Sequence, residues 1–219
     1  MLTKVSNLSR ENSILNKYIA ELRDVNVQSD SMRFRKNLER VGEIIAYEVS
    51  KKLIYESAQI ETPLGVAEVY LPVQQPVLAS ILRAGLPMHN GMLNIFDAAG
   101  NAFISAYRRH HKDGSFEISM EYVSCPPLND SILIISDPML ATGASMIVCI
   151  NELLKHGEPS EIHVAVAIAS RFGIEQLQSV HPKVQIWAAA IDDELTAKSY
   201  IVPGLGDAGD LAFGAKIQE

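Results

Sequence analysis

The sequence predicts an α/β fold in which a central, mostly parallel sheet is flanked by helices. Three observations lead there. Residues 77–82, 102–106, 132–135, 162–169 and 184–191 are short, bounded apolar runs, as strands buried in a sheet should be. Helical spacing fills the gaps. Met88, Met92, Leu93 and Phe96 fall in one gap, Met146, Ile147, Ile150, Leu153 and Leu154 in residues 143–156, and a further helix in residues 171–180. Strands alternating with helices pair in parallel. Two stretches then break the rhythm: residues 61–71 suggest a strand or hairpin arm, and residues 115–123 alternate like a hairpin strand after the polar turn 109–114.

Two helices precede the first run. Ile14, Leu15, Tyr18, Ile19 and Leu22 make one apolar face over residues 9–23, with Ser9 as its expected N-cap and Glu11 in the first turn. Phe34, Leu38, Val41, Ile45 and Val49 make the stripe of a second helix over residues 31–52. Arg33, Arg35, Lys36 and Arg40 alternate with that stripe and suit either a solvated face or a subunit contact. The 219 residues are enough for a single α/β domain, 1–219, with residues 1–55 as its N-terminal helices and an irregular, glycine-rich segment over 192–219.

Hydrophobic residues make up 47% of the chain, as in an ordinary globular protein. A net charge of −7 argues against a nucleic-acid partner, whose phosphates need a basic surface. Cys125 and Cys149 are far apart, form no metal spacing, and suit free thiols in a reducing compartment. The polar N-terminus lacks the apolar core of a signal peptide. The apolar run 164–169 falls far short of the about 20 residues that span a bilayer. The expectation is a soluble, cytoplasmic protein with no nucleic-acid or membrane partner.

The most informative stretch is 131–145. The buried run 132–135 stops at Asp137 and Pro138, because proline cannot donate to a strand ladder. Thr142, Gly143, Ala144 and Ser145 then lead into a helical pattern. A small polar loop between a strand and a helix N-terminus gathers free amides and the positive end of the helix dipole, which together bind phosphate. The loop lacks the Gly-Lys-Ser/Thr of a Walker A motif and the spaced glycines of a dinucleotide fold. An acid ahead of such a cradle suits a sugar phosphate: the carboxylate holds two ribose hydroxyls and the amides hold the 5-phosphate. A plain strand, turn and serine cap is the competing reading. Elsewhere, Arg83 follows a strand and precedes Gly85, where an arginine can grip a pyrophosphate in bidentate fashion or merely sit on the surface. His89, His110, His111, His156, His163 and His181 show no metal spacing and no nucleophile partner.

The string Asp137-Pro-Met-Leu-Ala-Thr-Gly-Ala-Ser145 resembles the phosphoribosyl pyrophosphate motif of the type I phosphoribosyltransferases, in the version found among uracil phosphoribosyltransferases. Ile81-Leu-Arg83-Ala-Gly85-Leu, Tyr107-Arg108 and Tyr200-Ile-Val-Pro-Gly-Leu-Gly-Asp207-Ala-Gly-Asp210 match the same family in order and spacing. The last is the most specific, and the resemblance covers nearly the whole chain. It implies a type I phosphoribosyltransferase fold with a β-hairpin arm and a small C-terminal hood over residues 192–219. It also implies a pentosyltransferase that joins uracil to phosphoribosyl pyrophosphate in pyrimidine salvage. By the same resemblance Arg83, Arg108, Asp137 and Asp207 are catalytic. Arg83, Arg108, Asp137, Pro138, Met139, Leu140, Ala141, Thr142, Gly143, Ala144, Ser145 and Asp207 bind phosphoribosyl pyrophosphate. Ile201, Gly206, Asp207 and Ala208 bind uracil, whose carbonyls and ring N–H suit main-chain donors and acceptors. Magnesium is expected to ride on the pyrophosphate through water, with no direct protein ligand. A homodimer or higher homo-oligomer is implied, with a GTP-type effector in some members. From its own residues, basic and polar with Gly114, loop 109–114 suits either a lid that closes over the substrate or a solvated hairpin turn.

Two departures stand out. The family's cradle reads Thr-Gly-Gly-Ser, but residue 144 is alanine. If position 144 needs a positive φ, alanine costs roughly 1 kcal/mol or more; if it only opens the helix, alanine is harmless. Leu211 follows Asp210 where the family carries a basic residue. Two rivals share the fold: an RNA-binding regulator of pyrimidine genes, disfavoured by the acidic charge, and a catalytically silent sugar-phosphate sensor, favoured only by Ala144.

Overall fold

The structure, a computed structural model, describes residues 4–110 and 116–215, and the side chains of all of these except 106–110 and 116–120. Strand β1 (Val5–Asn7) and a 3₁₀ turn (Leu8–Arg10) precede helices α1 (Ile14–Arg23) and α2 (Ser31–Ser50). Strands β2 (Tyr55–Thr62) and β3 (Gly65–Pro72) follow. Then come β4 (Val77–Leu82), α3 (Leu86–Leu93), β5 (Gly100–His110), β6 (Phe116–Ser124), β7 (Ile132–Ser136) and the short β8 (Met139–Leu140). The next elements are α4 (Ala144–Leu153), β9 (Glu161–Ser170), α5 (Arg171–Val180) and β10 (Gln185–Asp192). The hood carries β11 (Glu194–Leu195), β12 (Ile201–Val202) and α6 (Ala208–Phe213).

The central sheet runs β1-β10-β9-β7-β4-β5-β6, with β8 also on β9. Every pair along it is parallel except β5 with β6. Successive residues of a strand point to opposite faces, and here both faces are covered. Ile132 and Ile134 of β7 and Ala165 and Ala167 of β9 pack with Leu15, Leu22, Phe34, Leu38 and Met88 from α1, α2 and α3. Leu133, Ile135, Val164 and Val166 pack with Met146, Ile150, Ile174 and Leu177 from α4 and α5. That is why these strands read as unbroken apolar runs rather than alternating ones. Each fully buried Leu, Ile or Phe contributes about 1.5–3 kcal/mol.

The arm at residues 61–71 is a complete hairpin beginning at Tyr55, and it pairs with nothing else in the sheet. Three readings change. Residues 5–7 form an edge strand, pairing Val5 with Ile186 in β10; three residues are too few to show a period. That strand takes the chain into the 3₁₀ turn, so α1 is capped by Ser13, whose Oγ accepts from the Leu15 N–H at 3.3 Å, and not by Ser9. The segment from Asp192 onward, which reads as irregular, holds a two-stranded pair and a short helix.

The α2 charges are in part solvated, Arg33 and Lys36 being exposed, but the arginines also make contacts within the chain. Arg33 grips Glu21 of α1 with Nε and Nη2, at 2.9 and 3.1 Å. Glu21 also accepts from the buried Asn37 at 2.8 Å, and these bonds, the Arg33 pair first, hold its carboxyl below the usual range. Arg40 lies over the Tyr18 ring, and Arg35 donates to the Ala212 carbonyl at 2.6 Å. Arginines of α2 therefore bind α1 on one side and the hood helix on the other.

Candidate active site

The carboxyl ends of β4, β7, β9 and β10 gather at one edge, where open α/β sheets place their ligands. Ser80 of β4 lies opposite Ser136 of β7. The loop after β4 and the loop after β7 are thus neighbours, although Arg83 and Asp137 are distant in sequence. The backbone at Gly85 passes so close to the Ser136 carbonyl that a Cβ would sit 2.6 Å from it. Arg83 is exposed, and the peptide before it is cis.

The cradle after β7 forms as the sequence predicts. Asp137 caps its own turn, Oδ1 accepting from the Met139 N–H at 3.4 Å, and its N–H donates to the Ala165 carbonyl. Pro138, Met139, Leu140 and Ala141 cross the end of β9, where Met139 and Leu140 pair as β8. Thr142 Oγ1 accepts from the Ala144 N–H at 3.4 Å. Gly143, with φ +81°, is the residue that turns the chain into α4. A Cβ on it would lie 2.9 Å from the Gly173 carbonyl, and a left-handed φ suits glycine alone at so tight a contact. Ala144 is the first residue of the helix proper, and Ser145 lies half-buried beside it in the first turn. Ser170, the cap of α5, donates to the Ala141 carbonyl at 2.5 Å and accepts from the Gly173 N–H, fastening the cradle from behind.

Asp137 leaves its mark on the chemistry nearby. Burial, with the Asp137 carboxylate adding to it, pushes the Cys149 thiol up to about 12. Cys149 is fully buried and stays a thiol at neutral pH, so it offers no nucleophile. His89 is also buried, its Nε2 2.8 Å from Asn101 Oδ1, and desolvation lowers its pKa. Neither group lies in the open edge.

The hood closes the site from the side. Ile201 is buried, the Val202–Pro203 peptide is cis, and Gly204 and Gly206 both have positive φ. Asp207 caps α6, Oδ1 accepting from the Asp210 N–H at 3.0 Å, and Ala208 opens that helix. Arg83 bridges the two regions: Nη2 donates to the Gly214 carbonyl at 3.2 Å and lies 3.6 Å from Asp210. Arg83, the 137–145 cradle and the hood residues Ile201, Gly206, Asp207 and Ala208 are thereby brought to one edge. Leu211 sits on the hood beside a cleft of about 580 Å³, lined also by Val25, Gln28, Gly206 and Asp207. A cavity of about 680 Å³ lies elsewhere, among Asn129, Glu158, Glu161 and Lys183, and takes in none of the expected site residues.

Arg108 stands in β5 opposite Ile118, three residues beyond Ser105, the partner of Leu82. Its side chain and residues 111–114 of the expected lid lie outside the described residues, while the backbone of 109 and 110 ends β5. Sequence reasoning missed Arg23 and Asp192. Asp192 ends β10 as Asp137 follows β7, and that repeated strand-end acid was the available signal.

Comparison with known proteins adds an independent measure. Residues 9–215 match a family model described as uracil phosphoribosyltransferase. A uracil phosphoribosyltransferase of Porphyromonas gingivalis is 51% identical over 98% of this chain and 100% of its own length. One from Thermococcus gammatolerans is 37% identical over 91% of this chain and 89% of its own. Among solved structures, the AQ2163 protein from Aquifex aeolicus superposes with a TM-score of 0.86 at 28% identity, covering 98% of this chain and 100% of the other.

Proposed function

The chain belongs to the uracil phosphoribosyltransferase family, and from that premise we propose how its own residues join uracil to phosphoribosyl pyrophosphate to give uridine monophosphate and pyrophosphate. The observation that carries the reading is the meeting of three segments at one sheet edge. The arginine loop after β4, the cradle after β7 and the hood each hold one part of the substrate pair.

The 5-phosphate lies in the cradle, on the amides of residues 138–145 and the hydroxyls of Thr142 and Ser145. Asp137 accepts from the ribose hydroxyls. Uracil lies against the main chain of Ile201, Gly206, Asp207 and Ala208, and Asp207 also meets the phosphoribosyl pyrophosphate. A loop of backbone donors and acceptors shaped to uracil rejects cytosine, whose amino group would meet an N–H and leave both unpaired. The ring nitrogen attacks the anomeric carbon as the bond to pyrophosphate breaks, through an oxocarbenium-like state, and the proton of that nitrogen leaves to solvent or to the departing pyrophosphate. Arg83 and Arg108 neutralise the charge growing on the leaving pyrophosphate, and Asp137 stabilises the cationic sugar. Positioning and electrostatics do most of the work.

Magnesium fits the donor set at this edge. The cation would arrive on the pyrophosphate and keep most of its waters, with no direct protein ligand; Asp137, a hard oxygen donor just past β7, would meet it through water. When bound, the ion neutralises pyrophosphate charge. A cytoplasmic location belongs to this proposal on the strength of the two free cysteines, Cys125 and Cys149; among the described residues no helix is long and apolar enough to cross a membrane. The protein works as a homodimer or larger, with the β2–β3 arm of one copy laid on another. The support is the arm's apolar exposure, with Ile60, Leu64, Val66, Tyr70 and Leu71 all facing solvent.

The test is pyrophosphate release from purified protein with phosphoribosyl pyrophosphate, magnesium and each nucleobase in turn. Release with uracil alone is expected, and release with another base but not uracil would overturn the reading of the hood. Arg83→Ala is expected to lower kcat by at least about 100-fold. Turnover near wild type would remove Arg83 from the pyrophosphate site. Ala144, at the unstrained start of α4, gives a catalytically silent sensor no support.

A further inference from the structure

Between α1 and the hood lies an ion pair that the proposed reaction does not use. Arg23, in the last turn of α1, donates through Nη1 to Asp192 Oδ2 at 2.7 Å and through Nη2 to Oδ1 at 2.8 Å. Asp192, the last residue of β10, is 7% exposed, and the Arg23 side chain 23%. A bidentate pair this deep is expensive to desolvate and is tolerated only when its remaining valences are met. Two of them are met by one residue. Asp192 Oδ2 also accepts from the Gly204 N–H at 2.9 Å, and Arg23 Nη1 also donates to the Gly204 carbonyl at 2.9 Å.

Both main-chain groups of Gly204 are therefore gripped by one buried pair. Gly204 is itself an extreme of the loop, with φ +58° and an Ile201 carbonyl only 2.1 Å from where a Cβ would be. It sits between Ile201 and Gly206, two of the residues assigned to the base. Fixing Gly204 fixes the direction in which the amides and carbonyls on either side of it point. The grip uses the Gly204 N–H and one lone pair of its carbonyl, so the pair acts through the loop.

We infer that Arg23 and Asp192 are positioning residues for uracil: the pair clamps Gly204 so that loop 201–208 presents its backbone donors and acceptors at the spacing the base requires. The inference rests on the reading of that loop as the base site. It gives the N-terminal helix α1 a part in base recognition, although it contributes no atom to the base.

The experiment compares Asp192→Asn, Arg23→Lys and the double variant with wild type, measuring KM for uracil, KM for phosphoribosyl pyrophosphate, kcat and the thermal midpoint. Asp192→Asn keeps the shape but puts an amide where two acceptors stood. Arg23→Lys keeps the charge but loses the fork. Each is expected to raise KM for uracil on the order of tenfold, as small misplacements of positioning groups do, with KM for phosphoribosyl pyrophosphate within about twofold. The double variant is expected to be little worse than either single one, because the pair acts as a unit. Two results would overturn the inference: a folded variant with wild-type KM for uracil, or equal rises in both KM values. A variant that loses only kcat and thermal stability would mark the pair as merely structural, which also overturns it. Should Asp192→Asn fail to fold, Arg23→Lys carries the test alone. Wild-type protein that releases no pyrophosphate with uracil would instead sink the reading of the base site, so the two failures are told apart.

Discussion

Gly143 and Ala144 are adjacent and have opposite requirements. Gly143 takes φ +81° with the Gly173 carbonyl in the way of any side chain, whereas Ala144 starts a helix. Replacing Gly143 by Ala forces a left-handed conformation costing roughly 1–2 kcal/mol before the contact is relieved. Relief means moving the cradle off α5, so KM for phosphoribosyl pyrophosphate is expected to rise at least about tenfold in steady-state kinetics. Ala144→Gly is expected to leave both KM values within about twofold and to lower the thermal midpoint slightly, since glycine is about 1 kcal/mol the poorer helix former. The sequence marks the cradle plainly, because an acid, a Thr-Gly-x-Ser string and a strand before them are visible in one line. It leaves position 144 undecided, because a residue's letter does not carry its torsion angle.

At the scale of elements, buried strands and the helices between them were legible because their apolar runs and periods are local. Cross-strand partners were not. His163 looks isolated in sequence, yet in β9 it is fully buried between two neighbours. Trp187 Nε1 of β10 donates to its Nδ1 at 3.1 Å, and its Nε2 lies 3.1 Å from Glu161. The indole N–H makes Nδ1 the acceptor, so the neutral ring carries its proton on Nε2 and donates it to Glu161. Burial lowers the His163 pKa below its ordinary 6.5, while the Glu161 carboxylate pulls it back up. The folded state thus binds fewer protons here than the unfolded chain. Its contribution is complete above about pH 6.5 and shrinks as the pH falls below that. His89, also lowered by burial, acts in the same direction. Scanning calorimetry from about pH 7.5 down to about pH 5 should show a falling midpoint in wild type. His163→Gln should start lower and fall less steeply. Parallel profiles would show that His163 does not set the acid limb.

At the scale of the molecule, the hairpin arm was expected from the pattern of residues 61–71 and from the family resemblance, and it stands clear of the sheet with Leu64 wholly exposed at its turn. An apolar ribbon of this kind rarely stays in water. Shortening it to a two-residue turn joining Tyr55 to Pro72, its paired ends, is expected to reduce the particle mass in light scattering to that of one chain. Mass unchanged from wild type would place the subunit contact elsewhere. What the sequence could not reveal at this scale is closure. A residue near the start of the chain holds a turn near its end, and no local pattern encodes a contact 181 residues long.

That same closure orders events during synthesis. β1 has no edge to join until β10 exists, and Arg23 has nothing to grip until Asp192 and Gly204 have been made. Loop closure over such distances adds only modest entropy, but the contacts that repay it come late. A nascent chain can collapse its helices and inner strands early, α1 against α2, while the partners of β1 and Arg23 are not yet built. The clamp on the hood is therefore among the last parts to form, and a chain released short of Gly204 lacks both the clamped residue and most of the base loop.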